Sequence, residues 1–396
     1  MPQPTTFLQF PPSLSLAQSP VVFSVTNPAY ESSSFYYTST LLIWTGSASD
    51  SGSGTAYALR KFPNKTGAGL FDVSRFLNAK LNQLAYQYSS SVLNYRCTFN
   101  YNYESGTSGS DVGTAIYNAI DGYSVFPEPI NQNPSSSTIF WPIMTSGPAT
   151  QSVTSDDKGW LSVWKKDSAQ FLTEYTGSYS DGTIVNASYV QSFTGSITGS
   201  TTGYIGRIPT CLSQSSFPLA YTAGNGTLVS YLIKTNDASL APTSSQSITF
   251  NVDCAYYYTP VRVLWKNRYG QFDFFNFYKK NTQTFQTEQR IYQPQLGSWD
   301  STTLSYNNYQ TATQRYIVDS RETITVNTDF ISEKYNDIFK QLLVTDEVYW
   351  YYDQPNDLVK PLTIKTSDIT FKTGVNDKLI QYTITFDIGQ PFKLII

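Results

Sequence analysis

The sequence predicts a mainly β protein, with two or more sandwich- or barrel-like domains, short amphipathic helices and extended arms. Three observations carry that prediction. Short runs of β-branched and aromatic residues recur between Gly, Ser, Thr and Asn clusters, often at intervals of roughly ten residues. Several runs alternate apolar and polar side chains with the period of a half-buried strand. Helical spacing occurs in two stretches. At 396 residues the chain exceeds what one core usually holds, so two or three domains of about 150 residues are expected.

The opening stretch, "MPQPTTFLQFPPSLSLAQSP", has no basic start and no continuous apolar run. It is expected to be an extended Pro-rich arm over 1–19, not a secretory signal. "PVVFSVTN" (20–27), "SFYYTSTLLIW" (34–44) and "TAYALRKFP" (55–63) read as strands. "GLFDVSRFLNAKLNQL" (69–84) changes period: Val73, Phe76, Leu77, Leu81 and Leu84 share a helical face, and Asp72 can cap it. Lys80 falls toward that face, so its stem must snorkel. "SSVLNYRCTFNYNYE" (90–104) alternates most cleanly, with Leu93, Tyr95, Cys97, Phe99, Tyr101 and Tyr103 on one side. Asp121-Gly122 signals a tight turn, and Pro142 places "STIFWPIMTS" (137–146) at an edge or bulge.

Residues 147–250 carry many short strands, with "SFTGSITGSTTGYIG" read as a loop or hairpin. The stretch 247–280 reads as two or three consecutive strands, and "YIVDSRETITVNT" (316–328) as a strand pair. In 329–353, Ile331, Tyr335, Ile338, Phe339 and Leu342 share a helical face, with Thr328 or Asp329 as cap. Residues 360–388 read as two strands around 374–377, with Ile380, Tyr382, Ile384 and Phe386 facing the core. The resulting organisation is an arm (1–19), a β-domain with one helix (20–150), a sandwich-like domain (151–285) and a C-terminal β-rich domain with one helix (286–396).

Composition narrows the function. Charged residues are 14%, and aromatics 16%, with 31 Tyr and 24 Phe. Much of the surface must then be neutral and polar, as where protein meets protein. A net charge of −3 argues against wrapping phosphate backbones. No apolar run reaches the length of a membrane span. The absence of histidine removes His triads, Cys-His dyads and His metal sites. Cys97, Cys211 and Cys254 are odd in number and widely spaced, which fits buried thiols.

The densest cluster is the stretch 257–280, "YYTPVRVLWKNRYGQFDFFNFYKK". Trp265, Lys266, Asn267, Arg268, Tyr269, Phe272 and Phe274 form a candidate aromatic hairpin and interface, reversing at Gly270. Arg268 is placed to pair with Asp273 or to stack on a ring. Because the aromatics split across both strand faces, a hairpin covered on both sides outweighs a sugar platform. Single-strand nucleic-acid stacking wants a basic groove that this acidic chain lacks. Asp156-Asp157, Asp346-Glu347 and Glu104 are candidate acid/base carboxylates; solvated charge is the plainer reading. Asp111, Asp121 and Asp181 lack the D-x-D-x-D-G spacing of a calcium loop. Asn64, Asn186 and Asn225 head glycosylation triplets that fit chance matches in an Asn/Ser/Thr-rich chain.

Two passages, "TPVRVLWKNRYGQFDFFNFYKK" and the ending from "FISEKYNDIFKQLLVTDEVYWYYD" to "KPLTIKTSDITFKTGVNDKLIQYTITFDIGQPF", carry a family resemblance. They resemble tail or neck virion structural proteins of tailed bacteriophages infecting Bacteroidota, crAss-like phages among them. "NPAY", "LLIW" and "GLFDVSRFLNAKL" (27–81) are similar to the front of the same kind of protein. The resemblance implies a viral tail protein, not an enzyme: a ring, hub or adaptor that needs no cofactor. Its partners would be copies of itself in a ring and other tail or neck proteins. DNA would pass through a lumen without specific binding. The protein would be assembled in the host cytoplasm and reside in the virion. The alternative is a virion module that recognises glycans; a carboxylate-only glycosidase is a third class.

Overall fold

The structure, a computed structural model, describes residues 5–31, 34–45, 52–84, 92–103, 109, 111–125, 143–166, 170–192, 203–236, 246–253, 256–297, 302, 305, 308–371 and 380–390. Among the described residues the fold is mainly β, with several sandwich-like sheet arrangements and two short α-helices. The chain forms two compact units. The first holds Met1–Ala255, Leu264–Phe274 and Lys334–Asp346; the second holds Tyr256–Val263, Phe275–Glu333 and Glu347–Ile396.

In the first unit, β1 (Thr6–Gln9), β3 (Val22–Thr26) and β6 (Ala68–Asp72) make a three-stranded sheet. A second sheet runs β2 (Leu14–Leu16), β9 (Tyr117–Ile120), β7 (Leu93–Tyr103), β4 (Phe35–Trp44), β5 (Thr55–Lys61), with β8 (Val112–Gly113) beside β7. Alternation decides their contact. Phe23, Val25 and Phe71 from one sheet share a buried cluster with Leu41, Tyr95, Cys97 and Phe99 from the other. Val73, just before helix α1 (Ser74–Leu84), and Leu77 and Leu81 on it join that cluster. Asp72 ends β6 and starts the helix, its Oδ1 accepting from Ser74 N at 3.0 Å and Val21 N at 3.2 Å. The expected arm is woven into its own chain. β1 pairs with β3, and β2 pairs in parallel with β9, burying Leu14 and Leu16.

A second core in this unit lies under β10 (Thr150–Val153), β17 (Gln246–Val252), β16 (Gly226–Asn236), β12 (Gln170–Tyr179) and β13 (Ile184–Ser192), in that sheet order. β15 (Thr222–Ala223) pairs with β16, and β11 (Trp160–Lys166) with β14 (Gly203–Pro209). Val163 and Ile208 from the two-stranded ribbon pack with Tyr175, Tyr231 and Phe250. The expected strand at 137–146 and loop at 192–206 fall largely outside the described residues; Ile143 makes a bridge to Val163.

The seven-stranded sheet has the order β19 (Phe272–Phe277), β18 (Val261–Lys266), β22 (Val348–Asp353), β23 (Leu358–Ile364), β24 (Thr383–Ile388), β21 (Gln314–Asn327), β20 (Thr282–Tyr292). The core face expected for the last strand is observed: Ile380, Tyr382, Ile384 and Phe386 are buried. The turn expected at 374–377 lies outside the described residues. Helix α2 (Asn336–Val344) buries Ile338, Phe339 and Leu342, but neither expected residue caps it. Thr328 is engaged with Tyr382 instead: its N donates to Tyr382 O, and its Oγ1 accepts from Tyr382 N, both at 2.9 Å.

The expected strand pair at 316–328 is one continuous strand, β21. Nothing in "YIVDSRETITVNT" supplies the Gly, Pro or Asn-Gly that a tight reversal needs. Its partner β20, "TQTFQTEQRIY", was not among the predicted strands.

Candidate functional site

The aromatic hairpin is the first candidate, and its tip lies inside the first unit. β18 is buried at every position, so both of its faces are covered. Asn267 builds the turn. Its N donates to Gln271 O at 2.6 Å, and its O accepts from Gly270 N at 2.9 Å. Its Oδ1 accepts from Tyr269 N and Gln271 N, and its Nδ2 donates to Met144 O at 2.9 Å. Gly270 has φ +68°, and a Cβ there would stand 1.9 Å from Asp121 O. Both the conformation and the close approach require glycine.

Asp121-Gly122 is therefore not a free-standing tight turn. Gly122 has room for no side chain, since a Cβ would meet Arg268 O at 2.5 Å. Tyr123 N donates to Arg268 O at 2.8 Å. Lys266 forms a buried ion pair with Asp121, whose other oxygen accepts from Gln18 Nε2 at 2.8 Å. Gln341 on α2 accepts from Arg268 N at 3.0 Å and Ser146 Oγ at 2.8 Å. Trp160 meets Phe274 edge to face at 4.8 Å.

Asp273 takes Thr145 Oγ1 at 2.5 Å and Ser146 N at 3.1 Å as donors, in place of the expected Arg268. The Arg268 guanidinium lies 5.2 Å from the Tyr269 ring centre, the stacking alternative. Burial pushes the Asp273 carboxyl up to about 6, against hydrogen bonds from Thr145, Ser146 and Asn267 that pull it down. Trp265, Lys266, Asn267 and Phe272 are thus buried by their own chain, and Arg268, Tyr269 and Phe274 half-buried. The tip is a joint that ties β9, the Met144–Ser146 segment and α2 together.

The other sequence candidates remain dispersed. Asp157 is not a solvated charge: it is buried and its Oδ2 accepts from Thr154 N at 2.7 Å. Asp156 and Asp346 are exposed, and Glu104 lies outside the described residues. Asp111 accepts from Asn100 Nδ2, and Asp181 from Thr183 N, which holds its carboxyl below the usual range. Asn64 orders its loop by accepting from Thr66 N and Ala68 N at 2.9 Å. Among the described residues no three acidic or Cys side chains gather as a metal site. Cys97 and Cys211 are buried thiols outside any disulfide, and burial pushes the Cys97 thiol up to about 12; Cys254 lies outside the described residues.

The second candidate is the β20–β21 ribbon in the second unit. β20 is exposed at all eleven positions. β21 pairs with β24 over Thr323–Asn327, so among the described residues Gln314–Glu322 pairs with β20 alone. That is a two-stranded extension of roughly 30 Å at about 3.3 Å per residue. Phe285, Ile291, Tyr292 and Tyr316 are exposed along it. Among the described residues β20 ends the sheet, so one of its edges offers N–H and C=O groups that no described strand pairs. Sequence patterning missed this strand because alternation reports a buried face, and β20 has none. Its Thr, Phe, Ile and Tyr content without Gly or Pro was the available signal.

No protein-family model matches the chain, and no curated protein matches it in sequence.

Proposed function

We propose that the chain is a structural component of a tailed-phage virion: a tail ring, hub or adaptor that assembles through its β-domains. The observation that carries this reading is the β20–β21 ribbon, exposed on both faces and open along its edge. An isolated two-stranded ribbon is marginal in water, and native proteins normally blunt such edges with Lys, Pro or cover. β20 has neither Lys nor Pro, and its charges are confined to the neighbouring Glu288 and Arg290. Subunit contacts would cover it, as the neutral Tyr-, Asn- and Ser-rich surface also suits.

The burial of Trp265 fits a scaffold better than a ligand platform. A second reading, a glycan-recognising module, is favoured by Tyr256, Tyr257 and Tyr258. These three are exposed, and the rings of Tyr257 and Tyr258 meet edge to face at 4.9 Å. Electron microscopy of purified particles and of the recombinant chain separates the two. The scaffold reading expects symmetric oligomers and the chain within particles. A stable monomer missing from particles, or micromolar glycan binding by a monomer, would overturn it.

A further inference from the structure

We infer that β20 pairs antiparallel with β20 of a second copy, across a two-fold axis at Gln289. This names the partner of the ribbon and rests on the reading of that ribbon as an assembly element. The argument starts from charge. β20 contains two charged residues, Glu288 and Arg290, and they flank Gln289. Within the chain, Glu288 stands directly opposite Asp319, and Arg290 opposite Ile317. Like charges directly opposed destabilise a ribbon. Among the described residues neither Glu288, Asp319 nor Arg290 is in an ion pair.

A two-fold antiparallel contact sets each residue before Gln289 against the residue equally far beyond it. Glu288 then faces Arg290 of the second copy, and Arg290 faces its Glu288. Both pairs lie on the ribbon face that holds Asp319, where Arg290 and Arg321 of the same chain flank the acidic pair, so each acidic pair gains a further, directly opposed cation. Thr287 meets Ile291, both β-branched residues that suit a strand. Moving the axis to Glu288 or Arg290 would set that residue against itself. The register shift in the ribbon falls on β21, which skips Tyr316, so β20 keeps unbroken alternation. Pairing would turn two marginal ribbons into one four-stranded sheet. A contact of this symmetry joins copies in twos and is distinct from the heterologous contacts that close a ring.

Charge-swapped full-length chains test the register by sedimentation velocity at low salt, with circular dichroism to confirm folding. The wild-type chain is expected to self-associate, and association to weaken with salt. E288R and R290E should each associate at least about tenfold more weakly, because two attractive pairs become two repulsive ones. A mixture of E288R with R290E should associate again, as should the double variant E288R/R290E. A wild-type monomer, single variants that associate like wild type, or a mixture that stays monomeric would each overturn the inference. Detection of the chain in purified particles tests the virion reading separately, so the two can fail independently.

Discussion

Lys266 and Asp121 show how a short basic turn became internal. Both are almost fully buried, so removing one partner leaves an uncompensated charge. Lys266→Met should lower stability by roughly 3–5 kcal/mol in chemical denaturation. Lys340→Met, which breaks the exposed pair with Asp337, should change it by less than about 0.5 kcal/mol. Equal effects would show that Lys266 is not held as described. Gly270→Ala should cost at least about 2 kcal/mol, through positive φ and collision with Asp121 O.

Asp273 predicts a pH dependence with a definite sign. Its folded value is about 6, above the ordinary aspartate value of about 4. Between these values the folded chain holds a proton that the unfolded chain has released. Stability from this group is therefore highest below about pH 4 and falls as pH rises through about 6. The loss is on the order of 3 kcal/mol. Asp273→Asn can still accept from Ser146 N, while Thr145 rotates its hydroxyl. Relative to wild type, the variant should gain stability from pH 4 to 7, measured by denaturant midpoints across that range. A constant difference would refute the assignment.

The ribbon is an element that contributes little to its own unit. Every β20 side chain is exposed, while β21 buries Thr323 and Ile324, where it pairs with β24. Replacing residues 287–320 by Asn-Gly, to join the facing pair Gln286 and Arg321, should therefore leave the melting temperature within a few degrees. The same variant should lose self-association. A collapse of the melting temperature would mean that the ribbon supports the fold. β7 and β24 are the opposite case. Their alternation is clean because each has one buried face, and both were legible in the sequence. α1 was equally legible, since Val73, Leu77 and Leu81 pack into one core.

For the whole molecule, the low charge and abundant Tyr and Asn point to extensive neutral contact. The expectation is a concentration-dependent oligomer in solution, read by light scattering, and a ring in averaged particle images. A monomer at all concentrations that is also missing from particles would exclude that assembly.

The alternation of β7 and β24, the helical spacing of α1 and the absence of histidine are local properties, written in neighbouring side chains. They settled the β class, the core faces and the exclusion of His-based chemistry without coordinates. The destination of the 264–274 tip was not written that way. Lys266 reads as surface until Asp121, 145 positions away, comes beside it. Thr328 reads as a cap until Tyr382 offers it a strand contact. β20 shows strand-forming composition but no alternation, and only its pairing with β21 makes it a strand. In each case the deciding partner is distant in the chain, and side-chain patterning carries no record of which remote backbone closes against it.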